Sequence, residues 1–273
     1  MGLSRDADEK VQGTLVIIGG AEDKDGDCLI LRRFAKIAGG AEARIAVMTS
    51  ATEEPETVGK QYKALFEELG AGVVEILHVN SRAEANEAEK TEIVHKATGI
   101  FFTGGDQLRI TSTIGGTAIG TALQAAYRRG VVIAGTSAGA SVMTDVMVVG
   151  GNNDDAPKKD TLSMAPGLAL LKGVVVDQHF AQRGRIGRLL SAVAYNPYVL
   201  GVGIDEDTAV IVSPDATFEV IGSQTVTVVD GSHITVTNVS EQAPDEPLAL
   251  SNVILHVLPQ GHRFDLRLRH TIG

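Results

Sequence analysis

Three observations predict an α/β fold on a doubly wound, mostly parallel sheet with an antiparallel β extension in its C-terminal part. Short unbroken apolar runs rich in β-branched residues recur through the first two thirds of the chain, the pattern of strands buried on both faces of a parallel sheet. Stretches of helical periodicity lie between them, long enough for right-handed crossovers. Beyond residue 201 the pattern changes to short alternating strands with turn formers between them. With 273 residues and 44% hydrophobic content the chain can bury a full core. We expect residues 1–273 to form one domain, with 1–12 a tail and 208–273 a β-rich extension.

The elements follow in order. Residues 14–18, closed by Gly19-Gly20, form the first expected strand. Within residues 28–38, Leu29, Ile30, Phe34 and Ile37 share one helical stripe, and Gly39-Gly40 ends it. Residues 44–49 and 73–79 read as strands around a helix over 55–69 that Gly70 stops, and 91–97 reads as a helix. A fourth strand, 99–103, ends in Gly104-Gly105-Asp106-Gln107 and leads to a helix expected within 108–129. Residues 131–143, VVIAGTSAGASVM, are an apolar run that breaks at Gly-Thr-Ser-Ala-Gly and resumes as a helix. Residues 149–160 are rich in turn formers and read as a surface loop, and 164–171 as a short turn or helix. Another buried strand over 174–176 ends in Asp177-Gln178-His179-Phe180, before a helix within 181–194. Strands then follow at 209–212, 217–221, 225–229, 233–239, 253–257 and 264–268, with Asp230-Gly231 as a hairpin turn.

Composition narrows the function. The net charge of −10 is spread along the chain, and no basic stripe with interleaved aromatics offers a nucleic-acid surface. A single cysteine, Cys28, excludes an internal disulfide, and the lack of cysteine and histidine clusters argues against a structural zinc site. No apolar run is long enough to span a membrane. MGLSRDADEK lacks an apolar leader core, and Asp6 stands where a myristoylation motif wants Ser or Thr, so a cytoplasmic protein is expected. The glycines of IIGGAEDK and FFTGGDQ match neither G-x-G-x-x-G nor the Walker pattern, which argues against a nucleotide.

The chemistry centres on Ser137. A buried strand turning abruptly into a helix, with Ser137 between Gly135 and Gly139, has the form of a nucleophile elbow, which needs near-absent side chains on either side of the turn. The Ala138 N–H at the helix start would face an oxyanion, aided by the helix terminus, and Gly105 would supply the second donor with Gln107 facing substrate. In this architecture chemistry sits at the strands' carboxyl ends, where His179 also emerges as a candidate base. Arg183, Arg185 and Arg188 gather at a helix N-terminus, against its dipole, and suit a carboxylate-bearing substrate as well as they suit the protein's own acids. Asp154 and Asp155 fall in the 149–160 loop.

Taken together, GGDQ, GTSAGASVM, DQHFAQRGRIGRL, GIDEDTA and LSNVILHVL, in this order, resemble the cyanophycinases of the peptidase E family of serine peptidases, over about residues 13–268. The resemblance implies a flavodoxin-like or class I glutamine amidotransferase-like fold and a cytoplasmic, cofactor-independent, homodimeric exopeptidase that releases β-aspartyl-arginine from cyanophycin. It implies Ser137 as nucleophile and His179 as base. For the triad acid it favours Asp155, with Asp154 and Glu206 as alternatives. Gln107, Asp177, Gln178, Arg183, Arg185 and Arg188 would line the substrate pocket, Asp177 binding the arginyl side chain of the polymer. Two other readings stay open: an aspartyl dipeptidase of the peptidase E type, and a binding protein whose serine is vestigial.

Overall fold

The computed structural model describes residues 13–151, 156–160 and 162–273. Strands β1 (Leu15–Ile18), β2 (Arg44–Met48), β3 (Val73–Leu77), β4 (Gly99–Phe102) and β5 (Val132–Thr136) alternate with helices α1 (Leu29–Ile37), α2 (Pro55–Glu68), α3 (Ala88–Lys96), α4 (Gln107–Ile114) and α5 (Ala118–Arg128). All five strands run parallel, in the order β1-β5-β4-β2-β3. The residues of β1, β4 and β5 are buried on both sides, whereas the edge strand β3 leaves Val73 exposed. Leu15 and Ile17 enter one apolar cluster and Val16 and Ile18 the other, as the two-residue period of a strand requires. On the second face Phe34, Tyr62, Phe66 and Phe101 pack ring against ring.

The expected single helix over 108–129 is two helices. Gly115-Gly116 interrupt it, and Thr117 caps the second helix by accepting from the Gly120 N–H. After β5 the helix α6 (Ala138–Ser141) is a single turn. Strands β6 (Val146–Gly151) and β7 (Leu162–Pro166) then pair antiparallel, so part of the expected loop and of the expected turn or helix at 164–171 is a β-ribbon.

The larger departure is a second sheet. Strands β8 (Val174–Gln178) and β9 (Leu200–Ile204), parallel and joined through α7 (Ile186–Tyr195), lie outside the main sheet. Strands β10 (Thr208–Val212) and β11 (Thr217–Gly222) extend the main sheet from β1, antiparallel. Strand β12 (Thr225–Asp230) returns to β9, so that between β9 and β12 the chain crosses to the main sheet and back. Strand β9, LGVGI, escaped the sequence reading because its glycines dilute the β pattern. They are required: a Cβ at Gly203 would lie 2.5 Å from the Phe180 ring. Asp230-Gly231 does not make the expected hairpin. The short strands β13 (Val236–Thr237) and β14 (Leu250–Ser251) pair with each other, while β12 pairs with β15 (Ile254–Pro259). Strands β16 (Arg263–Asp265) and β17 (His270–Ile272) complete the main sheet, and the second has the order β15-β12-β9-β8.

Candidate active site

Ser137 sits at the end of β5 with φ 53° and ψ −109°, a conformation that costs a non-glycine residue about 1–3 kcal/mol. Packing holds it there. Its N–H donates to the Ile18 carbonyl at 3.1 Å, which ties the turn to β1. A Cβ at Gly135 would lie 2.3 Å from the Gly139 carbonyl oxygen, and one at Gly139 would lie 2.5 Å from that of Phe102. The chain therefore folds back against itself and against β4 closely enough to exclude any side chain. Because α6 is one turn long, its macrodipole adds little, and the Ala138 N–H acts as an individual donor. Among the described residues neither the Ala138 nor the Gly105 N–H has an acceptor. Gly105 takes φ 138° where the β4 end turns against Ala51, and it lines the same cleft as Ser137.

His179 reaches the serine from the second sheet. It follows β8 with φ 48°, and its N–H donates to the Gly19 carbonyl at 2.7 Å. One bond thus joins the rims of the two sheets. Its Nε2 lies 3.0 Å from Ser137 Oγ and its Nδ1 2.6 Å from Glu206 Oε1. A carboxylate can only accept, so Nδ1 carries the proton and Nε2 is left to accept from the serine hydroxyl. Burial lowers the imidazole pKa below its ordinary value; the Glu206 hydrogen bond opposes this, and the nearby charges of Arg183 and Arg185 reinforce it. The ring is therefore neutral, and able to take a proton, at neutral pH.

Glu206 owes its place to its neighbours in GIDEDT. Asp205 accepts from the Ala181 N–H at 2.9 Å and from Thr225 at its N–H and hydroxyl, clamping the β9 end to the loop that carries His179. Asp207 donates its N–H to the Gly20 carbonyl and accepts from the Asp23 N–H. Glu206 stands between these two anchors. The contact to His179 Nδ1 expected first of Asp155 is made by Glu206, the second of its two alternatives; Asp154 and Asp155 lie outside the described residues.

A cleft of about 340 Å³ beside Ser137 is lined by Gly105, Gln107, Gln178, Arg183, Arg185 and Arg188, with the β6 end as its other wall. These expected pocket residues are brought together but are not equivalent. Asp177, expected to bind an arginyl group, has its side chain 1% exposed and both carboxylate oxygens taken by Arg188, at 2.5 and 2.6 Å, with Arg185 at 3.3 Å. That expectation is corrected, since a fork already fills the carboxylate. Arg185 also donates to the Gln178 side chain at 2.7 Å and to its carbonyl, and although burial pulls its pKa down to about 10 it stays charged. Arg183, by contrast, is exposed, and among the described residues its guanidinium has no partner. Gln107 donates to the Val148 carbonyl at 2.8 Å, which leaves its amide oxygen available.

Sequence reasoning passed over a second group. Glu22, buried, accepts from Thr136 Oγ1 at 2.5 Å and from the Tyr62 hydroxyl, directly beside the nucleophile. The signal is Glu22 in IIGGAEDK, a stretch whose glycines invite comparison only with nucleotide-binding turns. Its Gly20 is also fixed by the site: a Cβ there would lie 2.4 Å from the His179 ring. Among the described residues no group of three or more His, Cys, Asp or Glu could hold a metal ion, and no helix is long and apolar enough to cross a membrane.

Ser137 Oγ, His179 and Glu206 thus form one chain of contacts at the mouth of the arginine-lined cleft, the arrangement of a hydrolase. Residues 15–220 match the model of Peptidase family S51, and the chain belongs to that family of peptidases. Among curated proteins it is 42% identical over 256 residues to the cyanophycinase of Geminocystis herdmanii, covering 93% of this chain and 94% of that one. It is also 42% identical to the cyanophycinase of Nostoc sp. (93% and 86% covered) and 40% identical to that of Synechococcus elongatus (94% and 80%). A crystal structure of a peptidase from an acI-B1 Actinobacterium shares the fold, with a TM-score of 0.63 and 21% identity over 94% of this chain and 98% of that one. A putative peptidase E protein of Listeria monocytogenes does so at a TM-score of 0.52 and 17% identity, with 77% and 98% covered.

Proposed function

We propose that the protein is a serine exopeptidase that hydrolyses cyanophycin to β-aspartyl-arginine dipeptides. The observation that carries the reading is the Ser137–His179–Glu206 chain of contacts, beside an arginine-lined cleft, in a sequence 40–42% identical to cyanophycinases over more than nine tenths of its length. His179 Nε2 takes the proton from Ser137 Oγ as the oxygen attacks the amide carbon. The Gly105 and Ala138 N–H groups hold the oxyanion, and Glu206 stabilises the imidazolium. The imidazolium then protonates the leaving amine, and a water activated by the neutral ring releases the acyl group.

Each repeat of the polymer carries a guanidinium and a carboxylate. Arg183 is the residue that takes a substrate carboxylate, while Arg185 and Arg188, with Asp177 and Gln178, form the rigid wall behind it. We place the enzyme in the cytoplasm, as a homodimer. The exposed apolar side chains of Ile254, Leu255 and Val257 on the outer strand of the second sheet support that assembly. Incubation of the purified protein with insoluble cyanophycin, followed by mass spectrometry of the supernatant, tests the reading. Soluble β-aspartyl-arginine is the expected product, and a folded protein that releases none while cutting aspartyl dipeptides would replace the substrate.

A further inference from the structure

The turn from Gly19 to Lys24 meets the histidine through its glycines, and its side chains line a second cleft. This second cleft, of about 320 Å³, is lined by Glu22, Lys24, Gln61, Tyr62, Thr136 and His179, and shares only Ser137 with the arginine-lined cleft. A nucleophile standing between two clefts has substrate on both sides of the bond it cuts, so the second cleft's chemistry selects what lies on that flank.

Two charged side chains are present, and only one is available. Glu22 has its side chain 1% exposed and is closed in by Thr136, Tyr62 and Lys24, so no ligand cation can reach it. Lys24 is 38% exposed and stands over the Tyr62 ring. Its Nζ lies 3.0 Å from Glu22 Oε1 and 3.3 Å from the Glu22 carbonyl oxygen. An ammonium has three donors, and the hydrogen bond to the Glu22 carbonyl takes one of them. The donors left over belong to a cation held in place by ion pairing to a buried carboxylate, an arrangement suited to a ligand acceptor bearing negative charge. Resting on the function proposed above, we infer that Lys24 binds a substrate carboxylate on the flank of the scissile bond opposite Arg183.

The test is calorimetric titration in the Ser137→Ala background, which removes turnover. The ligands are a β-aspartyl-arginine oligomer with free α-carboxylates and the same oligomer with those groups amidated. The parent is expected to prefer the acid, with Lys24 supplying about 10- to 100-fold of the preference, the worth of one hydrogen bond between charged groups, and Arg183 the rest. Adding Lys24→Met should lower the acid preference by that factor and leave only the share that Arg183→Gln removes, with Lys24→Arg restoring most of what was lost. An acid preference unchanged by Lys24→Met, an equal loss for both ligands, or a parent that binds neither overturns the inference. Cyanophycin cleavage by the unaltered enzyme is scored separately, so failure at Lys24 leaves the polymer reading standing, and failure on the polymer is seen without reference to Lys24.

Discussion

The two halves of the site are built in different ways. The serine half is local: a strand, a strained residue and one helical turn, held by Gly135 and Gly139 against the backbone of the same turn and of β4. The histidine half is assembled from afar. His179 and Glu206 are 27 residues apart, on loops from different strands of the second sheet, and they meet Ser137 because Asp205 ties the β9 end to the His179 loop while the Gly19–His179 bond and Asp207 join the two sheets. Nucleophile geometry can therefore be written in a nine-residue motif. A proton relay needs residues whose proximity exists only once the chain has folded.

Substitutions can break that comparison at either end. Ser137→Ala removes the one atom that the other parts serve, and turnover should fall by about 10⁴-fold or more with the thermal midpoint nearly unchanged. Single-turnover kinetics and calorimetry check both. Glu206→Gln keeps the shape but loses the charge behind the imidazole, and kcat should fall by about 10³- to 10⁴-fold, whereas Asp155→Asn should change it only about two- to threefold. The reverse ranking in steady-state kinetics would return the acid's role to the 149–160 loop.

The glycines sharpen the contrast. Gly139→Ala, which would press on the Phe102 carbonyl, should cost about 1–3 kcal/mol of stability in a denaturant titration. Gly20→Ala would instead press on the His179 ring, so its main effect should be on kcat, about 10²-fold, because a misplaced base loses its geometry. The smallest effect concerns pH. The neutral imidazole is the active form and its pKa is lowered, so kcat/KM should hold down to below pH 6.5 and be lost as pH falls through the depressed value. Arg183 contributes to that lowering. Arg183→Gln should move the acidic limb of the kcat/KM profile to higher pH, and an unmoved limb would show that the arginine's charge does not reach the ring.

Much of the fold was legible because it obeys short-range rules. The five parallel strands, their order of appearance with the helices, and Ser137 with its flanking glycines all follow from apolar runs and turn residues within a few positions of one another. What was not legible shares one cause. Strand β9 carries two glycines that packing against Leu189 and Phe180 requires and that β propensity disfavours. Asp177 resembles a ligand-binding acid until Arg188, eleven residues on and one helix away, closes over it. Glu22 belongs to a turn that reads as a generic glycine loop, and its partners Tyr62 and Thr136 lie 40 and 114 residues away.

By itself, then, the sequence determined the α/β class, the strand-to-helix turn that strains Ser137, and the residue types around it, because backbone sterics and the alternation of apolar runs act over a few residues. Only the tertiary structure decided that Glu206 is the acid against His179 Nδ1, that Asp177 is already taken, and that Ser137 stands between two clefts of different chemistry. Those outcomes depend on the alignment of two sheets, which arises from long-range burial and a few hydrogen bonds between chain segments far apart in sequence.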